Sequence, residues 1–220
     1  MSRLGRCLVV LSCLAVFSLN VDRATANILV NSGFESQIEF GDPTAANWFA
    51  FFGAGSAGTT STSDPGYTGI VDPTEGANHL SITNDGTASG FSGVFQRVTG
   101  VAGTDYTFSF DARSNGAASF PIGAEFRIEY LDATGAVVGA SANTPIGTTL
   151  TDQYQSFSIV DTAQTNNLQV VIAVETFSAS GGFGDLFVDN AVVEAKAIPE
   201  PASAALLCLG GLFAATRRRR

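Results

Sequence analysis

The chain has 220 residues, with 11 basic and 20 acidic side chains and a formal net charge of −9. One histidine and three cysteines leave too few ligands for a multi-histidine zinc centre. The acidic balance argues against nucleic acid or anionic lipid as a partner.

The N-terminus reads as an export leader. Arg3 and Arg6 give a positive start, and Cys7 to Leu19 is apolar except for Ser12 and Ser18. Ala24-Thr25-Ala26 then places small residues where a signal peptidase reads them. Residues 1–26 are expected to be a signal peptide, with Asn27 as the new N-terminus. A buried N-terminal helix or an uncleaved anchor is the structural alternative, and the order of the three parts favours the leader.

The region 27–198 has its own character. It keeps four basic residues (Arg97, Arg113, Arg127 and Lys196) against 18 acidic ones, a formal charge of −14. Such a surface attracts divalent cations or keeps the chain soluble. Cys7 and Cys13 lie in the leader and Cys208 near the C-terminus, so no disulfide, thiolate metal site or thiol nucleophile is available within 27–198. His79 is the only base for a serine triad, and no Gly-x-Ser-x-Gly elbow accompanies it.

In chain order the region predicts strands throughout. Irregular ones are expected at Ile28–Asn31, Asn47–Phe52, His79–Thr83, Phe91–Thr99 and Gly184–Ala195. Period-two alternation is cleaner elsewhere. It falls on Tyr106, Phe108 and Phe110; on Phe126, Ile128 and Tyr130; on Phe157 and Ile159; and on Leu168, Val170, Ile172 and Val174. Gly53–Tyr67 reads as a long polar loop and Asp132–Gly135 as a tight hairpin turn. Helical periodicity is confined to the two ends, and there is no internal repeat. The expected fold is all-β, a two-sheet antiparallel jelly-roll sandwich over 27–195.

The C-terminal segment, 196–220, changes register again. Pro199-Glu200-Pro201 precedes fifteen uncharged residues, Ala202–Thr216, and then Arg217, Arg218, Arg219 and Arg220. Fifteen helical residues rise about 22 Å, short of a ~30 Å hydrocarbon core, and Gly210 and Gly211 weaken the helix further. A short transmembrane helix held by arginines at the cytoplasmic face fits this better than a permanent anchor. A hydrophobic helix packed on the domain is the alternative. The pattern resembles the PEP-CTERM sorting signal, in which an exosortase recognises the Pro-Glu-Pro motif. That resemblance implies export to the cell surface or extracellular polysaccharide matrix, with the C-terminus held at the membrane transiently or permanently.

A second resemblance covers the β-rich region. Asn27-Ile28-Leu29-Val30-Asn31-Ser32-Gly33-Phe34-Glu35 opens it, Tyr106-Thr107-Phe108-Ser109-Phe110-Asp111-Ala112 lies mid-way, and Leu186-Phe187-Val188-Asp189-Asn190-Ala191-Val192-Val193 closes it. This order is similar to the galactose-binding-like jelly rolls of carbohydrate-binding module families 4, 9 and 22. Ser32 stands where that family often has glycine. The resemblance implies a structural Ca2+ held by Glu35 and Asp189, with backbone carbonyls completing the shell. The alternative is that Glu35 caps a loop and Asp189 accepts hydrogen bonds from backbone amides.

Sugar recognition needs flat aromatic faces and hydrogen-bonding groups. Trp48 and Tyr67 are candidate platforms, with core packing as the plainer reading for Trp48. If Asn47–Phe52 is a strand, Trp48 and Phe52 share one face and Phe49 and Phe51 the other. Arg127 and Glu129 point away from the Phe126–Tyr130 core face and could bind glycan or simply form a solvated pair. Asp64, Asp72 and Glu75 are loop carboxylates without a visible acid–base pairing. The expected function is a non-catalytic glycan-binding module in exopolysaccharide. A structural matrix protein without a ligand, or a carbohydrate-active enzyme, stands as the alternative.

Overall fold

The computed structural model describes residues 26–36, 47–52, 56–61, 72–84, 90–114, 122–176 and 184–196. The expected leader and the sorting tail, including Pro199, Glu200, Pro201 and Arg217–Arg220, lie outside these residues, as does Tyr67. Ala26–Lys196 forms one unit.

Eleven strands are formed among the described residues: β1 (Phe49–Phe52), β2 (Ser56–Ser61), β3 (Asn78–Asn84), β4 (Gly90–Thr99), β5 (Asp105–Ser114), β6 (Ile122–Leu131), β7 (Val137–Ala140), β8 (Thr144–Pro145), β9 (Gln155–Thr162), β10 (Asn167–Thr176) and β11 (Gly184–Ala195). They make two sheets. The first runs β1-β4-β10-β6-β7, with β8 also on β6; the second runs β2-β3-β11-β5-β9. Every pairing is antiparallel. This is the sandwich that the alternating pattern predicts.

The facing sides supply the core. Val94, Phe126, Ile128, Tyr130, Leu168, Val170 and Ile172 come from the first sheet, and Leu80, Ile82, Phe108, Phe110, Leu186 and Val188 from the second; all are buried. Phe110 meets Phe126 edge-on across the sandwich, with centroids 4.8 Å apart and planes at 86°. Such a pair adds about 1 kcal/mol beyond the burial of its area. In β5 the period-two expectation holds residue by residue, with Tyr106, Phe108, Phe110 and Ala112 buried between half-exposed neighbours.

Two expectations need correction. Ile28–Asn31 forms no strand. The Ile28 amide donates to the Val193 carbonyl, but the Leu29 and Val30 amides go to the Asn27 and Gln96 side chains, and Asn31 turns the chain at φ 53°. Side chains have taken the donors that a ladder would need. Conversely, residues 56–61 of the expected loop form β2 against β3. Their Gly, Ser and Thr composition hides an edge strand whose partner supplies the hydrogen bonds. The short strands β7 and β8 were also invisible, being too brief to show a period.

The expected hairpin at Asp132–Gly135 is present. Gly135 sits at φ 85°, and Asp132 Oδ1 accepts from the Thr134 amide, the Thr134 hydroxyl and the Ala136 amide. These donors, the Thr134 hydroxyl foremost, hold the Asp132 carboxyl below its usual pKa.

Candidate functional site

The pleat that buries one side of the first sheet presents the other side outward, and three rows cross its middle. One row crosses Phe49, Phe95, Val171 and Arg127; the next crosses Arg97, Gln169 and Glu129; the third crosses Phe51, Gly93, Ala173 and Glu125. Val171, Ala173, Gln169 and Glu129 on the inner strands are buried, whereas Arg97 and Phe91 on β4 are exposed. The centre of this face is therefore a recessed floor with open margins.

One margin is aromatic. Phe49 stacks on Phe95 at 4.9 Å and 6°, and Phe51 lies 6.3 Å from Phe95. Gly93 permits this arrangement. A Cβ there would come within 2.7 Å of Phe51 Cζ and 2.4 Å of the Ile172 carbonyl oxygen. Phe91, on the same strand and face, is 38% exposed.

The remainder is a polar ladder. Arg97 Nε donates to Gln169 Oε1 at 2.9 Å, and Gln169 Nε2 donates to Glu129 Oε2 at 2.6 Å. Arg127 bridges Glu129 through Nη2 at 2.7 Å and Glu125 through Nη1 at 2.8 Å. It also reaches Asn143 Oδ1 at 3.3 Å. Charged groups near a buried floor are tolerated because each has a partner. Arg97 also lies over the Phe95 ring, 5.5 Å from its centroid, joining the aromatic and polar parts.

Of the sequence-derived ligand residues, Arg127 and Glu129 come together on this face. Trp48 does not, and its reading as a sugar platform is corrected. It is 1% exposed, packs on Phe34 at 5.1 Å, and donates from Nε1 to the Asn31 carbonyl. The start of β1 directs it inward, while Phe49 and Phe51 take the outer face. Phe95, Arg97, Gln169 and Glu125 were missed. Consecutive apolar residues at Val94 and Phe95 blur the period in β4, and only its register with β1 and β10 identifies the outer row.

Glu35 and Asp189 meet at another place, the segment 74–78. Phe34, fully buried at φ 56°, turns the chain so that Glu35 faces this segment. Glu35 Oε1 accepts from the Ala77 and Asn78 amides, and Oε2 from Asn78 Nδ2. Asp189 is fully buried; its Oδ2 accepts from the Thr74 amide, the Thr74 hydroxyl and the Glu75 amide, and its Oδ1 from the Asn190 amide. Calcium fits this arrangement poorly, because N–H and O–H donors point at the oxygens a cation would need. Among the described residues no three acidic, histidine or cysteine side chains converge as a metal shell.

Beside Asp189 on the outer face of the second sheet lies His79. Its Nδ1 is 2.8 Å from the Tyr154 hydroxyl, and its ring packs on Phe187 at 4.9 Å. Burial lowers the His79 pKa, partly offset by the nearby Asp189 charge. Burial likewise raises that of Tyr154. Arg113 lies over the Tyr154 ring at 5.8 Å.

Solved structures that share the fold include these three. TmCBM61, in complex with β-1,4-galactotriose, aligns over 78% of this chain and 100% of that one, with TM-score 0.51 and 15% identity. A Stig cyclase from Fischerella sp. TAU aligns over 80% of this chain and 100% of that one, with TM-score 0.54 and 16% identity. The enzymatically active domain of Bacteriophage CBA120 tailspike protein 4 aligns over 77% of this chain, at TM-score 0.53 and 14% identity, but this chain spans only 21% of that one. No curated protein matches the chain in sequence. Residues 197–220 match the family model for the PEP-CTERM protein-sorting motif, which marks the chain for export and exosortase processing. The chain thus joins a sandwich of the fold found in carbohydrate-binding modules to a C-terminal PEP-CTERM sorting motif.

Proposed function

We propose that the protein is an exported, non-catalytic glycan-binding module of the cell surface or its surrounding polysaccharide. The observation that carries this reading is the outer face of the first sheet, where the Phe49–Phe95 stack adjoins the Arg97–Gln169–Glu129–Arg127 ladder. Aromatic faces take the apolar side of a sugar ring, and a fixed row of amide, carboxylate and guanidinium groups takes its hydroxyls. TmCBM61, a module of the same fold, was solved with a galactotriose, which supports the reading by analogy. Glu125 and Glu129 are both bridged to Arg127. Neither is isolated in an apolar site as a proton-donating glycosidase acid would be, so catalysis is not part of the proposal.

Glu35 and Asp189 we assign to clamping the segment 74–78 through its amides, in place of a calcium shell. A matrix protein without a ligand is the second reading, favoured by one observation: Gln169, Glu129, Glu125 and Arg127 already bond to one another. A glycan panel and exopolysaccharide pull-down with the purified protein decide between them. Saturable binding that Phe95→Ala weakens supports the module, and no binding by folded protein supports the matrix role.

A further inference from the structure

Next to the aromatic stack, Arg97 borders a pocket of about 350 Å3. It lies at the end of the first sheet, lined also by Thr99, Asp132, Thr134 and Asn167. Arg97 is held by its stem and inner nitrogen, through Nε to Gln169 and by its position over Phe95. Among the described residues, its two terminal nitrogens have no hydrogen-bond or salt-bridge partner. Nη1 lies 3.3 Å from where a Gly135 Cβ would stand, so the hairpin glycine leaves space beside the fork.

This differs from Arg127 on the same face, whose charge is spent on Glu125 and Glu129. A pre-oriented guanidinium with both terminal nitrogens open matches a carboxylate in bidentate geometry. Asp132 is the acid of this pocket, and its Oδ1 is committed to the hairpin turn. Its charge limits the pocket to a single anionic group. The formal −14 of residues 27–198 also opposes a densely charged polymer.

We propose that this pocket receives the carboxylate-bearing sugar of an otherwise neutral glycan, with Arg97 gripping the carboxylate. The proposal rests on the glycan-binding reading above and names its ligand class. It gives Arg97 a specificity role, while Phe95 and its neighbours take the adjoining ring.

The test is a titration of the full-length protein with glucuronate and galacturonate against glucose and galactose, following the Arg97 Nε–H resonance and the Thr134 and Asn167 amides. The uronates are expected to saturate these signals at concentrations roughly tenfold or more below those needed for the neutral sugars. Arg97→Gln is expected to abolish that preference in a protein that still folds cooperatively, and Arg97→Lys to restore only part of it. Equal responses to acidic and neutral sugars overturn the proposal but leave the glycan module standing. So does an equal response to acetate, which reduces the site to a general anion contact. No glycan response anywhere on the face, in a folded protein, overturns both.

Discussion

The two outer faces of the sandwich use polar residues in opposite ways. On the first sheet, side chains bond sideways to one another across strands, and the margins at Phe91 and Arg97 stay open. On the second, Asp189 reaches out to the backbone of 74–75, and His79, Phe187 and Asp189 are all buried. The same strand alternation thus produces a floor in one place and a fastening in the other. What separates them is whether a loop's amides cover the strand.

The largest expected effect is on the fastening. Asp189→Ala leaves four donors without their acceptor, at a cost of about 3 kcal/mol or more, read from denaturant unfolding. A loss below about 1 kcal/mol would break the contrast between the faces. Next comes the floor: Phe95→Ala should weaken glycan binding roughly tenfold while lowering stability far less than Asp189→Ala.

The third effect is on pH dependence. Burial keeps the folded-state pKa of His79 below the ordinary 6.5. The unfolded chain therefore takes up a proton that the folded chain refuses, so this contribution to stability is present above about 6.5 and declines as pH falls through the lower folded value. His79→Gln should flatten the slope of melting temperature against pH there. The smallest expected effect is that of a chelator, which should leave the melting temperature unchanged. A clear drop would restore Glu35 and Asp189 as calcium ligands.

Alternation was legible where one face is purely apolar. Phe126, Ile128 and Tyr130 announce the inner side of β6 and so place Arg127 and Glu129 outside. It failed where both faces carry apolar groups, as at Val94 and Phe95, because the centre of the outer face is itself buried. Trp48 shows a related limit: residue type alone does not distinguish a core tryptophan from a platform, and the direction of β1 does. The meeting of Glu35 with residues 77–78 depends on the turn at Phe34, whose left-handed backbone no local pattern announces. The Arg97 pocket needs the register of β4 and β10 together with the Asp132 hairpin, which are far apart in the chain.

The position of β11 bears on how the protein crosses a membrane. It is the last strand among the described residues, yet it lies in the middle of its sheet, between β3 and β5, and it also takes the amide of Ile28 from the opening segment. The second sheet cannot close, nor the first residues settle, until nearly all of the sandwich has been delivered. Contacts of such long sequence separation form late. In chain order, the sorting tail at 197–220 follows directly behind the strand that completes the second sheet, so whatever acts on the tail meets a sandwich whose last strand has only just arrived.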